Sequence, residues 1–252
     1  MKKIGIITLH GYHNYGNRLQ NYAVQEVLKS LQFDAETIII QDRKVNVSTA
    51  DMIVSKIQKI FKRNLISTLK KICKEVSRII NYIINKQSIN KRIEIFKDFS
   101  RLYINERFFY YSDCELEKLE NTYDYFVTGS DQVWNPLYIN RAPIYFLTFT
   151  SKEKRISYAA SFGVADIPQE YEKKYSDWLY GIERISVREE SGKNAIKKLT
   201  GRNVTVLIDP TLMISKEQWL SLSKTAINKP KGKYILTYFL GSMTKKIQSQ
   251  IT

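Results

Sequence analysis

The chain has 252 residues, room for one large or two smaller domains, and its 43% apolar and 26% charged residues fit a packed soluble protein rather than a disordered one. Cys73 and Cys114 have no paired spacing, which argues against a disulfide framework or a zinc site and fits a reducing compartment. The net charge of +15 calls for an anionic partner, and it is unevenly spread: residues 43–107 hold 16 of the 40 Lys and Arg but only 5 of the 25 Asp and Glu, a local excess of +11.

Lys2 and Lys3 precede an apolar run, Ile4 to Leu9. The run is too short for a signal-peptide core, and no stretch of about 18 apolar residues occurs, so the reading is a cytoplasmic protein without a membrane span. Residues 2–9 read as a buried strand, followed by the polar turn Gly11 to Asn17. Arg18 to Leu31 reads as a helix with Leu19, Tyr22, Ala23, Val27 and Leu31 on one face, and residues 34–40 as a second strand. This βαβ unit predicts a parallel sheet covered by helices.

Residues 51–85 carry Ile, Leu, Phe and Val at helical spacing with Lys and Arg opposite, and a further helix is expected over 89–103. The block 43–107 therefore reads as a basic helical insertion. It has two readings: an amphipathic pair with a solvated cationic face, or a peripheral attachment to an anionic membrane. Nucleic acid is not expected as a partner, because no reader motif occurs.

The αβ rhythm then resumes, with strands over 123–128, 155–160, 184–187 and 204–208 and helices over 168–180 and 191–199. Residues 226–232 have linker composition. Beyond them 234–240 reads as a strand, and a helix is expected to start at Met243. The fold class expected is α/β: a Rossmann-like N-terminal domain over 1–225, a linker over 226–232, and the opening of an incomplete second Rossmann-like domain over 233–252.

Open parallel sheets bind ligands outside the carboxyl ends of their strands. Polar residues gather at five such ends: Asn14 to Asn17, Ser130 to Gln132, Ser161 to Gly163, Arg188-Glu189, and Asp209. Taken alone, each has a plainer reading. Asp131 can cap a turn, Arg188 and Glu189 can form a surface ion pair, and Asp209 before Pro210 suits a turn. His10 and His13 lack a Cys or acidic partner nearby and suit loop roles. Trp134 suits the core or a cleft wall, with sugar stacking as the alternative. Gly16 suits a tight turn, since one glycine is no nucleotide fingerprint.

The segment Thr8-Leu9-His10-Gly11-Tyr12-His13-Asn14-Tyr15-Gly16-Asn17-Arg18-Leu19-Gln20 resembles the N-terminal signature of polysaccharide pyruvyl transferases. Gly129-Ser130-Asp131-Gln132-Val133-Trp134-Asn135 resembles their central motif. Ser157 to Gly163, Ile185 to Glu189 and Ile208 to Thr211 match as well, in family order. The resemblance implies a glycosyltransferase-B-like enzyme with two Rossmann-type halves facing a cleft. Such enzymes move pyruvate from phosphoenolpyruvate, a substrate rather than a cofactor, onto two hydroxyls of one sugar as a cyclic ketal. The acceptor is an oligosaccharide of a surface polysaccharide or its lipid-linked precursor, which would place the protein in the cytoplasm or at the inner face of the membrane.

On this resemblance Arg188 matches the donor-binding arginine, whose fork suits phosphate and carboxylate. Asp131 and Glu189 are the carboxyls placed to move protons or hold hydroxyls. Asn14, Tyr15, Gly16, Asn17, Gln20, Ser130, Gln132, Trp134, Asn135, Ser161, Phe162 and Gly163 complete the expected substrate-binding set. No metal site is expected. In the family the second domain adds an Arg and a His, yet no histidine follows His13, so the chain is expected to carry one wall of the site and to be inactive alone. Two other functions remain open from sequence: a nucleotide-sugar glycosyltransferase of similar fold, and a non-catalytic glycan- or lipid-binding remnant.

Overall fold

The computed structural model describes residues 1–41, 86–226, 230–237, 244 and 247–249. The helical reading of 51–85 and most of the basic stripe lie outside them. The chain divides into two compact units, Met1–Ile214 and Ser215–Thr252.

The first unit is built on parallel strands. β1 (Lys3–Ile7) pairs with β2 (Asp34–Gln41) on one side and β4 (Tyr125–Thr128) on the other. β3 (Glu106–Tyr110) extends the sheet beyond β2, and β5 (Arg155–Ser157) extends it beyond β4. The order is β3-β2-β1-β4-β5, all parallel. Parallel bridges from Ile156 to Arg184 and from Ala160 to Val187 carry the arrangement on to β6 (Ser186–Val187), which pairs with β7 (Thr205–Val206). This is the order of a doubly wound, Rossmann-like sheet, and its direction of winding reverses between β1 and β4.

Burial on both faces explains the isoleucine-rich strands. Ile6 and Ala35 pack with Val24 of α1 (Tyr15–Ser30) on one face. Ile7, Ile38, Ile40 and Phe126 join a larger core on the other, with Leu119 and Tyr123 from α3 (Asp113–Thr122) and its C-terminal end. α2, helical over 86–103, precedes β3. The large core continues through Trp134, Phe146, Tyr175 and Leu179, the last two on α5 (Gln169–Tyr180). Trp134 stacks on Phe146 at 5.1 Å between ring centroids. The short α4 (Ala142–Tyr145) and α6 (Glu190–Thr200) complete this unit, α6 ending at Gly201 with φ of 72°.

Three sequence expectations change. The helix expected from Arg18 begins at Tyr15, and its inward face is largely polar: Asn17, Arg18, Gln20, Asn21 and Gln25 are buried, whereas Leu19 and Leu31 are exposed. Several of these buried groups are bonded to the sheet and its connections, as in Thr37 to Asn21 Oδ1 at 2.7 Å and the Asn105 N–H to Gln25 at 2.8 Å. β3, within the supposed insertion, is a sheet strand. In the second unit, α7 (Lys216–Lys224) starts with a capping box of Ser215 and Gln218. The strand expected over 234–240 is absent from its described part, where Tyr234, Ile235 and Leu236 are exposed. Among the described residues no helix is long and apolar enough to cross a membrane.

Candidate active site

The loops that follow β1 and β4 meet at the reversal of winding. Asn14 caps α1 by accepting the Asn17 N–H at 3.2 Å, and this sets Asn17 at the first turn. The Asn17 amide donates to the Leu9 carbonyl and to Asp131 Oδ2, the latter at 2.8 Å. Asp131 Oδ1 accepts the Gln132 N–H at 2.7 Å. Gln20 accepts from Thr8 at 3.2 Å and donates to the Gly129 carbonyl at 3.4 Å, a second tie between the two loops.

Gly129 has φ of +115°, and a Cβ there would lie 2.1 Å from the Tyr158 carbonyl, so the backbones of β4 and the segment after β5 approach too closely for any side chain. Ser130, below this turn, donates to Asp209 Oδ2 at 3.1 Å. Arg188 reaches the same oxygen at 3.1 Å, and its Nε lies 3.6 Å from Glu189. Asp209 also accepts the Thr211 N–H at 3.0 Å and hydroxyl at 2.7 Å. Desolvation pushes the Asp209 carboxyl up, but the bonds from Thr211, Arg188 and Ser130 together outweigh it and hold it below the usual carboxylate range. The ends of β4, β6 and β7 are thus joined through one carboxylate.

Two cavities open here. The larger, about 510 Å³, is lined by Leu9, His10, Gly11, His13, Tyr138, Arg141 and Tyr145 together with Asn14, Asn17, Asp131 and Gln132. The smaller, about 210 Å³, is lined by Gly16, Gln20, Arg188, Asp209 and Thr211 together with Asn14, Asn17 and Asp131. Asn14, Asn17 and Asp131 therefore form the wall they share, with Arg141 in one cavity and Arg188 in the other. His10 faces the larger cavity; desolvation by the surrounding protein, then the positive charges of Arg141 and Arg18, lower its pKa to about 4. At neutral pH it is an uncharged imidazole, able to accept a proton or donate a hydrogen bond.

Of the expected residues, Asn14, Gly16, Asn17, Gln20, Asp131, Gln132 and Arg188 line the cavities. Ser130, Asn135 and Ser161 are buried beneath them as supports. The Ser161 N–H bonds the Asp131 carbonyl at 3.1 Å, and Asn135 donates to the Gln132 side chain at 3.1 Å. Gly163, with φ of +64°, lets that loop pass close to Gln132. Glu189 lines neither cavity but pairs with Arg188. Tyr15 lies outside both, its ring 4.7 Å from Phe96. Trp134 and Phe162 are fully buried and line neither cavity, and the Trp134 N–H is spent on the Tyr145 carbonyl at 3.2 Å. Both stand in motif segments, but their side chains point into the aromatic core.

Sequence reading missed Arg141, Tyr138, Tyr145 and the cleft position of His10. The first three follow the Gly129–Asn135 motif on a 3-10 turn (Pro136–Arg141) and α4, where no periodicity distinguishes a cleft wall from a surface turn. Among the described residues no group of three or more His, Cys, Asp or Glu could hold a metal ion.

No curated protein and no solved structure matches this chain. The family model described as polysaccharide pyruvyl transferase matches residues 14–248, an interval that begins at the Asn14 cap of α1 and takes in the cleft ends of β4, β6 and β7. With most of its length inside that match, the chain belongs to the polysaccharide pyruvyl transferase family.

Proposed function

We propose that this chain binds phosphoenolpyruvate in the cleft and serves to move its pyruvyl group onto two hydroxyls of one sugar, as a cyclic ketal, in a surface polysaccharide or its lipid-linked precursor. The observation that carries this reading is that Arg188 and Arg141 line two cavities sharing the Asn14–Asn17–Asp131 wall. A donor with a phosphate and a carboxylate needs two cationic contacts on either side of its reacting carbon, and guanidinium groups suit both.

The chemistry assigns the remaining roles. Protonation at C3 of the enol makes C2 electrophilic, and one sugar hydroxyl adds to C2 and gives up its proton. The C2–O bond to phosphate then breaks, phosphate leaves with its electron pair, and the second hydroxyl closes the ketal and loses its proton. Asp131, held on both oxygens yet bordering both cavities, is the group to receive a hydroxyl proton. Glu189, outside both cavities, holds the Arg188 guanidinium from behind. Arg188 holds the donor anion and stabilises the departing phosphate. The basic stripe of 43–107 supports attachment to anionic lipid at the cytoplasmic face, where a lipid-linked acceptor resides.

Thermal denaturation with added ligand tests the reading. Phosphoenolpyruvate should raise the melting temperature with a dependence on its concentration, and uridine diphosphate should not. Stabilisation by the nucleotide alone would assign the cleft to a glycosyltransferase donor instead.

A further inference from the structure

A buried cation stands directly behind the cleft wall. Arg18 is 2% exposed and lines neither cavity. Its Nε and one terminal nitrogen both donate to Asn17 Oδ1, at 3.1 and 2.8 Å. The other terminal nitrogen donates to Glu106 at 2.6 Å and to Ser100 at 3.3 Å. Glu106 opens β3, and Ser100 lies on α2.

This arrangement dictates which way the Asn17 amide faces. Its oxygen is held by the guanidinium, so its NH₂ must point to the Leu9 carbonyl and Asp131. A flipped amide would set its oxygen against the Asp131 carboxylate and its NH₂ against the Arg18 cation, replacing attractive contacts by repulsive ones. Glu106 in turn fixes Arg18, because a guanidinium removed from water needs its counter-charge within hydrogen-bond reach.

We infer that Arg18 and Glu106 are positioning residues for the reaction: they hold the Asn17 amide with its N–H groups on Asp131, and so keep Asp131 in the wall shared by the two cavities. The last part of the basic block, α2 and β3, thereby acts on a cleft it does not line. A purely structural role, tying α1 to β3, would stop at the ion pair.

The double variant Arg18→Met with Glu106→Gln separates the two roles, because it removes both charges and leaves no buried ion unpaired. The readouts are the Asn17 side-chain NH₂ signals in ¹⁵N-correlated NMR, identified by their loss in Asn17→Ser, and phosphoenolpyruvate affinity by calorimetry. The affinity arm rests on the proposed donor; the NMR arm needs no ligand. In the wild type the Asn17 NH₂ protons should be separate and slow to exchange with water. In the folded double variant they should move to exposed-amide positions and exchange fast, and affinity should fall about ten-fold. Unchanged amide signals in a folded double variant would overturn the inference. Should that variant not fold, Arg18→Lys gives the same decision, since a single ammonium cannot reproduce the paired bonds to Asn17. A wild type that binds no phosphoenolpyruvate but shows the amide signature would remove the donor assignment and leave the positioning role standing.

Discussion

Asn17 on α1 and Asp131 beyond β4 are 114 residues apart in the chain and 2.8 Å apart in space. Their bond closes the point where the sheet reverses its winding, and it depends on one partner being an amide. Asn17→Asp keeps an oxygen for Arg18 but sets two carboxylates together. One of them must then take up a proton, with a folded-state pKa raised above the unfolded value of about 4. The variant should match the wild type most nearly in acid and lose stability as pH rises through the raised value, by about 2 kcal/mol at pH 8. Melting curves from pH 4 to 8 check this; a difference independent of pH would contradict it.

Glu106 is buried against Arg18. Glu106→Gln leaves that cation without a counter-charge and should cost about 3–5 kcal/mol in denaturant unfolding. Adding Arg18→Met should return most of the loss. A double variant as unstable as the single one would show that packing, not charge, sets the cost.

His10 should stay neutral well into acid. The chain holds two histidines, so NMR titration of a His13→Gln protein follows His10 alone. The expected midpoint is far below 6.5, near the value of about 4 that desolvation, Arg141 and Arg18 impose. Because the unfolded chain takes up this proton near pH 6.5 and the folded one does not, stability should fall as pH drops from about 6.5 toward 4, and His10→Asn should lessen that fall. A midpoint at 6.5 would mean that neither desolvation at the cavity nor the charges of Arg141 and Arg18 act on the imidazole.

Asp209 acts in the opposite chemical sense but at a similar end of the pH scale. Its pKa is depressed, so its contribution is present above the unfolded carboxylate value, about 4, and is lost as pH falls through the folded one. Asp209→Asn should be less stable than the wild type at pH 7 and should show a flatter acid limb. An identical acid limb would place the titrating group elsewhere.

Much of this fold was legible in the sequence because parallel strands buried on both faces leave apolar runs such as Ile4–Ile7 and Ile38–Ile40, with polar turns at their ends. Asp131, Arg188 and Asn17 could be placed on the cleft for the same reason: each directly follows a strand or opens the helix after one. What periodicity could not show was the inward face of α1. It assumes that buried means apolar, and here Arg18, Gln20, Asn21 and Gln25 are buried with partners from distant segments. β3 was hidden because Glu106 and Arg107 continue the charge pattern of the preceding helix. Trp134 turns into the core and Arg141, which carries no sequence expectation, lines the cleft, since a motif identifies a loop but not which of its side chains turn inward.

The proposed hold of Arg188 on the donor anion can be measured by calorimetric titration of phosphoenolpyruvate into wild type, Arg188→Lys and Arg188→Ala. Binding to the wild type should be saturable at one site, about ten-fold weaker in Arg188→Lys, where the bidentate fork is lost, and weaker still in Arg188→Ala. Equal affinity in all three proteins, each with its melting temperature intact, would contradict it.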